Sequence, residues 1–129
     1  MPVALFIVIG LGALALAISR MAGNNQSSAI HQAISVQALY AADSGAQYGM
    51  NRLLFDAVDK SEVDTRCGSV DGTTVNFNVT GLSHCDAALN CIKTSTGAAT
   101  QVYELTSRSR CGSGTLMAER TIVATVKYD

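Results

Sequence analysis

Cysteine is the residue type in this sequence whose chemistry is most specific. All four cysteines, Cys67, Cys85, Cys91 and Cys111, lie in the second half of the chain. An even number of cysteines predicts disulfides and an oxidising compartment. Zinc binding is disfavoured, because no C-x-x-C pair occurs and the two histidines stand at no regular offset from the cysteines. Several pairings remain open, of which we favour a short Cys85–Cys91 loop with a long-range Cys67–Cys111 bridge.

Residues capable of catalysis are few, and their surroundings argue against an active site. His31 has serines nearby, but no carboxylate precedes Asp43, so a Ser–His–Asp triad would need a remote acid. His84 precedes Cys85, which is no nucleophile once it is disulfide-bonded. The acidic residues of segment 56–66 stand among basic ones, as on a solvated surface. We therefore expect no enzymatic activity, no metal site and no cofactor.

An apolar run leading into residues 10–15, Gly-Leu-Gly-Ala-Leu-Ala, fits the G-x-G-x-x-A pattern of dinucleotide-binding sites. That pattern also requires an acidic residue about 20 positions later. None is present, because the chain up to Asp43 is uncharged apart from Arg20. No second strand–helix–strand unit follows either, and we therefore predict no nucleotide site.

Composition narrows the function further. A chain of 129 residues holds one domain at most, and its net charge of −1 provides no basic surface for nucleic acid. Aromatic residues make up 5% and tryptophan is absent, which leaves few side chains to stack on bases or flat cofactors. The charges are spread unevenly, since almost all of them follow residue 42.

The first 22 residues are predicted to form the transmembrane half of a long helix. Residues 1–19 carry no charge, and about 20 such residues in a helix span a hydrocarbon core about 30 Å thick. Two alternatives remain open. A cleaved signal peptide would use the small residues at 13–17 as its cleavage site, although a basic n-region is missing. A buried element of a soluble fold is the other alternative.

Residues 23–60 are predicted to form the amphipathic half of the same helix. The polar run 23–28 loosens the helix rather than ending it, and apolar residues then recur every three or four positions. Small residues at a spacing of four, Ala41, Gly45 and Gly49, would let another backbone approach closely, as in paired helices. A continuous helix of ~55 residues would measure about 80 Å. No globular core of this size encloses it, so its first half must lie in lipid or among like helices.

Residues 61–129 are predicted to form a disulfide-bonded β head. The charged segment 56–66 should end the helix, and alternating β-formers at 73–80, 101–107 and 116–128 predict strands. The turn-rich segment 108–114 should join the last two strands as an antiparallel hairpin. The predicted fold class is therefore α+β, with the long helix packed on one face of a small antiparallel sheet.

Two segments carry a resemblance to a known family. The run LYAADSGAQYGMNRL at 39–53 is similar to the AAESG-type helix segment of minor pilins. The ending at 103–128, YELTSRSRCGSGTLMAERTIVATVKY, resembles the final hairpin of minor pilins of the mannose-sensitive haemagglutinin (MSHA) pilus. The chain thus resembles the minor pilins of type IV pili over most of its length.

This resemblance implies a structural subunit that takes part in filament assembly or initiation and in surface adhesion. Its partners would be other pilin subunits, through their N-terminal helices, a prepilin peptidase and an inner-membrane assembly platform. The protein would cross the inner membrane once with a periplasmic head, and later join an extracellular pilus. A type II secretion pseudopilin has the same build and stays an alternative. A secreted, disulfide-bonded binding domain left after signal-peptide cleavage is another.

The sequence departs from the family pattern at its start. Family precursors carry a short basic leader ending in glycine, and none precedes Pro2. Major pilins also carry a glutamate near the mature N-terminus, whereas Val3, Ala4 and Leu5 offer none. By resemblance to pseudopilins without that acid, we expect a position at or near the filament tip. Arg20 alone would place the following residues in the cytoplasm, but paired cysteines favour the periplasm.

Overall fold

The computed structural model describes residues 2–96 and 100–128, and the chain divides into two units, Met1–Ala33 and Ile34–Asp129. The elements in chain order are helices α1 (Pro2–Leu54) and α2 (Lys60–Val70) and strands β1 (Thr74–Asn76), β2 (Cys85–Thr96), β3 (Gln101–Ser113) and β4 (Leu116–Tyr128). The predicted α+β class is confirmed: a long N-terminal helix packs on a four-stranded antiparallel sheet that carries two disulfides.

The first unit is helical from Pro2 onward, and the helix continues through the polar run 23–28. Every side chain described between residues 3 and 33 is exposed, including Val3 at 70% and Phe6 at 80%. Because the run before Gly10 is helix and not strand, the strand that a dinucleotide-binding fingerprint requires is missing. By length and composition, this helix is long and apolar enough to cross a membrane.

In the second unit, the last part of α1 lies on the inner face of the sheet. The helix buries mostly small residues there, namely Ala38, Ala41, Ala42, Ala46 and Leu53. Strand β3 alternates strictly, and its buried residues are Tyr103, Leu105, Ser107, Ser109 and Cys111. This period of two is the pattern of a strand with one covered face and one solvated face.

Helix α1 ends at Leu54, before the charged segment 56–66 at which the sequence predicted its end. Asp56 adopts φ 60°, the left-handed conformation that aspartate tolerates better than most residues. The Arg66 guanidinium donates hydrogen bonds to the carbonyl oxygens of Phe55 and Asp56. The end of α1 is therefore fixed by a local backbone conformation and an arginine from the next element.

The charged segment builds a second helix, α2, which the sequence analysis did not predict. The Asp59 carboxylate accepts the backbone N–H of Glu62 at 2.7 Å, and the Glu62 carboxylate accepts that of Val58 at 3.0 Å. This reciprocal arrangement satisfies two donors near the start of the helix. Helix α2 then buries Val63, Cys67 and Val70. An aspartate and a glutamate three residues apart, followed by apolar residues at helical spacing, could have revealed the helix.

The sheet has the order β1-β2-β3-β4, with every neighbouring pair antiparallel. Strand β2 was not predicted, because its alanines, asparagine and aspartate have low β propensity. Strand β1 is much shorter than the expected strand at 73–80. The β3–β4 register runs without a shift to the pair Ser113–Leu116. Most of the expected loop at 108–114 is therefore strand, and the turn itself is formed by Gly114 and Thr115.

A polar cluster fastens α2 to the sheet. The Asp64 carboxylate accepts hydrogen bonds from the Tyr103 hydroxyl at 2.5 Å and from the Lys93 ammonium at 2.8 Å. Lys93 and then Tyr103 hold the pKa of Asp64 below its ordinary value. Burial raises the pKa of the Tyr103 hydroxyl, and the neighbouring carboxylate raises it further. Tyr103 therefore stays protonated and serves as a donor.

The lowered pKa of Asp64 gives stability a defined pH dependence. The unfolded chain binds this proton near the ordinary value of 3.8, so the stabilisation is complete above that pH. It is lost as the pH falls further, through the lower pKa of the folded state. Tyr103→Phe should raise the pKa of Asp64 part of the way towards 3.8, since Lys93 remains. An NMR titration of the carboxyl carbon measures this change.

The matched control is Tyr128→Phe, because the Tyr128 hydroxyl donates to the Ala57 carbonyl at 3.1 Å and not to Asp64. It should leave the Asp64 titration unchanged. An Asp64 pKa that does not move in Tyr103→Phe would contradict the assigned hydrogen bond.

Candidate functional site

The structure places the two histidines at the surface and the four cysteines in disulfides. His31 and His84 are exposed, and the His84 carbonyl oxygen accepts the backbone N–H of Gly112 at 3.1 Å. All four cysteines are oxidised to disulfides, so no thiolate is present. Within residues 2–96 and 100–128, no group of three histidine, cysteine, aspartate or glutamate side chains is placed to hold a metal ion.

The cysteines form a pairing different from the one that the sequence analysis favoured. Cys67 of α2 bonds Cys91 of β2, and Cys85 of β2 bonds Cys111 of β3. The favoured Cys85–Cys91 pair is wrong, because these residues are six positions apart on one strand. At ~3.3 Å per residue their Cα atoms lie about 20 Å apart, far beyond the reach of a disulfide. The error follows from the missing prediction of β2.

Both disulfides meet on β2 and attach it to its neighbours. The Cα atoms of Cys85 and Cys111 are 4.1 Å apart, and the two residues are directly opposed in the β2–β3 register. The Cys67–Cys91 bridge, with Cα atoms 5.4 Å apart, ties α2 to the same strand. The sulfurs are therefore part of the core: Cys85 and Cys111 share a buried cluster with Ala38 and Ala41 of α1.

The ladder of small residues on α1 makes its close approach to the chain's own sheet. A Cβ atom on Gly45 would lie 2.5 Å from the Ser107 Oγ and 2.8 Å from the Ala87 Cβ. A Cβ on Gly49 would lie 2.8 Å from the Leu105 Cδ2. The spacing of Ala41, Gly45 and Gly49 predicted that another backbone comes close, as in paired helices. In the structure, β2 and β3 of the same chain lie against Gly45 and Gly49.

Two buried serines of β3 face this contact, and no sequence signal had singled them out. The Ser109 hydroxyl donates to the Ala38 carbonyl oxygen of α1. The Ser107 Oγ has no hydrogen-bond partner among the described residues, although it is fully buried. Because Gly45 has no side chain, the backbone of α1 lies directly over the short side chain of Ser107. This is the geometry of a very close helix–sheet contact.

Several apolar side chains remain exposed on α1 and on the connection to α2. On α1, beyond the apolar segment of the first unit, Val36, Leu39 and Tyr40 are 49–64% exposed. In the connection, Phe55 is 70% and Val58 is 86% exposed. Exposed apolar side chains of this kind are candidate contact surfaces for other molecules or for lipid.

Comparison with known proteins gave no match to this chain, whether with family models, with curated protein sequences or with solved structures.

The two disulfides should contribute equally to stability. Their sequence separations are 24 and 26 residues, and closing a loop of that size restricts the unfolded chain by about 3.5 kcal/mol. Cys67→Ser with Cys91→Ser, and separately Cys85→Ser with Cys111→Ser, should each lower the free energy of unfolding by about 2–5 kcal/mol. Urea unfolding of the full chain in detergent measures the loss. Peptide mapping without reduction checks the pairing, and a linked Cys85–Cys91 peptide would contradict it.

A methyl group at Gly45 should weaken the contact between α1 and the sheet. Gly45→Ala should cost about 1–3 kcal/mol through overpacking, although alanine favours a helix by about 1 kcal/mol. Gly68→Ala on α2 is the matched control, because nothing lies within 4 Å of its Cβ position, and it should stabilise the protein. Ser107→Ala should reduce the cost of Gly45→Ala. Equal effects of Gly45→Ala and Gly68→Ala would show that α1 is not packed as described.

Proposed function

We propose that this protein is a minor pilin-like structural subunit of a type IV pilus of the MSHA type. In this proposal the apolar first part of α1 holds the chain in the inner membrane and then packs among the helices of other subunits as the filament assembles. The observation that carries the proposal is the contrast between the two parts of α1. One is exposed and apolar all round, and the other is docked on a disulfide-bonded sheet.

The first part of α1 supports a role in membrane anchoring and helix association. A helix that exposes apolar side chains all round its surface is stable in lipid or among other apolar helices, and not in water. Large side chains such as Phe6, Ile9, Leu14 and Ile18 are each at least 60% exposed. The first 22 residues contain a single charge, on Arg20. Apart from Arg20 in the last turn, no charged side chain therefore opposes burial of this segment in lipid or among other helices.

The second unit supports a role as a head that stays folded outside the cytoplasm. Two disulfides persist only in an oxidising compartment, which favours the periplasm and then the cell exterior. The glycine ladder is occupied within the chain, so contacts with other pilin subunits would use the exposed faces of α1. The partners we propose are those subunits, a prepilin peptidase and the inner-membrane assembly platform. Adhesion to surfaces would be exerted by the assembled filament.

Mass spectrometry of fibres sheared from the cell surface tests this function. The mature chain should be present there and should retain its apolar segment. Ile9→Asp should reduce membrane-associated chain by about 100-fold, because a charge at the centre of a spanning helix costs about 2.5–3.5 kcal/mol. Gln26→Asp, in the polar run, is the matched control and should change little.

The outcomes separate the proposal from its alternatives. A mature chain found only in the medium, without its first 17 or so residues, would identify a secreted domain and overturn the proposal. A chain that stays in the membrane, never enters surface fibres and is needed for export of other proteins would identify a secretion pseudopilin.

A further inference from the structure

Strand β4 is the last strand of the sheet, and among the described residues only β3 pairs with it. It is 13 residues long, and its pairing with β3 runs without a bulge. Residues 121–126, Thr-Ile-Val-Ala-Thr-Val, contain no charge and no proline. Natural proteins protect exposed edge strands with bulges, prolines or charges, because unpaired backbone groups there bind other strands. The middle of β4 has none of these protections, so its edge is suited to pairing with a strand of another molecule.

The backbone groups at this edge follow from the hydrogen bonds of the other strands. The Leu89 N–H of β2 donates to the Thr73 carbonyl oxygen on the β1 side, and the Gly112 N–H of β3 donates to the His84 carbonyl oxygen on the β2 side. Successive residues of a strand bond to its two neighbours in turn. Odd-numbered residues of β3 therefore face β4, where they are paired with even-numbered residues. The N–H and C=O groups of the odd-numbered residues of β4 point away from the sheet, and we name them the open edge.

A second copy of β4 can pair with the open edge about a two-fold axis. Antiparallel pairing that matches the open-edge groups places odd-numbered residues opposite odd-numbered ones. If the axis passes through Val123, this residue meets Val123 of the second copy, and Thr121 meets Thr125. Pairs of threonine and of β-branched residues stabilise antiparallel strands. Five such pairs form between residues 119 and 127, and they exchange about ten backbone hydrogen bonds.

The charges on the outer face of the sheet agree with this register. Within one chain, Arg110 lies between Asp86 of β2 and Glu119 of β4. The two-fold pairing places Lys127 of the second copy on the other side of Glu119. The row across the joined sheets is then Asp86, Arg110, Glu119 and Lys127 of the second copy, in which negative and positive charges alternate. Opposite charges directly across an antiparallel pair are stabilising.

The next row keeps the charges balanced. Arg108, which also binds Glu119, lies beside Thr121, and Glu104 of the second copy lies beside its own Thr125. The two rows together hold three cations and three anions. A two-fold pairing centred on Arg120 or on Lys127 would instead place like charges opposite each other, which is destabilising. The charge pattern of β4 and its neighbours therefore favours a second copy in the Val123 register.

The direction of β4 determines how the two copies approach each other. The Arg120 guanidinium donates to the Ser35 hydroxyl near the start of the docked part of α1. The Tyr128 hydroxyl donates to the Ala57 carbonyl oxygen beyond its end at 3.1 Å. Strand β4 and the docked part of α1 thus run in the same direction. Because the paired β4 strands are antiparallel, the docked helices of the two copies are antiparallel too, as they would be on two facing membranes or filaments.

We infer that the open edge of β4 pairs antiparallel with β4 of a second copy that faces it, with Val123 opposite Val123, so that the two four-stranded sheets join into one of eight strands. The contact lies between heads and uses neither the apolar segment nor incorporation into a filament. It goes beyond the proposed function, because it makes the chain itself the binding partner that a second cell or filament presents.

Aggregation of vesicles tests the inference. Phosphatidylcholine vesicles that carry the full chain with outward-facing heads should aggregate, and turbidity measures the extent. Val123→Lys should weaken the association by at least about tenfold, because two lysines then meet at the axis and because lysine protects edge strands. The matched control is Val79→Lys, in the segment between β1 and β2. Val79 is 55% exposed and Val123 is 56% exposed, and vesicles with the control variant should aggregate like the wild type.

A charge exchange tests the identity of the partner and the register. Vesicles that carry Val123→Glu alone should also fail to aggregate, since two carboxylates meet. Mixing Val123→Glu vesicles with Val123→Lys vesicles should restore aggregation, because opposite charges are then paired across the axis. Circular dichroism checks that each variant is folded, which is expected for a substitution at an exposed position of the outer face.

The remaining outcomes would overturn the inference. They are wild-type vesicles that do not aggregate, aggregation that Val123→Lys leaves unchanged, and variants that fail to rescue each other when mixed. The proposed function is tested separately by sheared fibres. Absence of the chain from fibres together with rescue in the mixed vesicles would overturn the function and leave the strand pairing intact.

Discussion

The packing of the second unit depends on the close approach of α1 to β2 and β3. Glycine at positions 45 and 49 brings the helix so near that even a methyl group at Gly45 would overlap the Ser107 hydroxyl. A contact at this distance buries little side-chain volume per residue, and it is stable only if the surfaces on both sides are fixed. The alanines of α1 and the alternating small residues of the sheet meet this requirement.

Strand β2 supplies much of that rigidity. It pairs with β1 and β3, carries one half of each disulfide, and packs Ala87 and Leu89 beneath α1. Helix α2 is attached to it by the Cys67–Cys91 bridge and to the neighbouring strand by the hydrogen bond from Tyr103 to Asp64. A small head with few large apolar residues is thus held together by covalent links as well as by packing.

The sequence predicted those parts of the fold that have a clear composition or period. The apolar segment was found from its length and lack of charge, the amphipathic part of α1 from its helical spacing, and β4 from its alternation. Strand β2 was not predicted, because its alanines and asparagine have low β propensity and do not form a clear alternating pattern. The disulfide pairing failed with it, since only the strand places Cys85 and Cys91 far apart. Helix α2 was not predicted, because its charged residues were interpreted as the solvated end of α1. Asp59 and Glu62 nevertheless have the spacing of a helix start.

The glycine ladder shows a different limit. Small residues that recur every four positions indicate that some backbone comes close. They carry no information on whether that backbone is a second helix or a sheet of the same chain. Only Ser107 and Ala87, distant in sequence, identify the partner. This assignment matters for function, because it leaves the outward faces of α1 and the connection at Phe55 for contacts with other molecules.

Amide hydrogen exchange of the monomeric full chain in detergent tests most directly whether this helix face is docked on its own sheet. The account predicts that the amides of residues 38–53 exchange as slowly as those of residues 103–111 and that both sets lose protection together when the disulfides are reduced. Fast exchange of the helix beside a protected sheet would contradict it, because the helix would then be free to offer its glycines to another molecule.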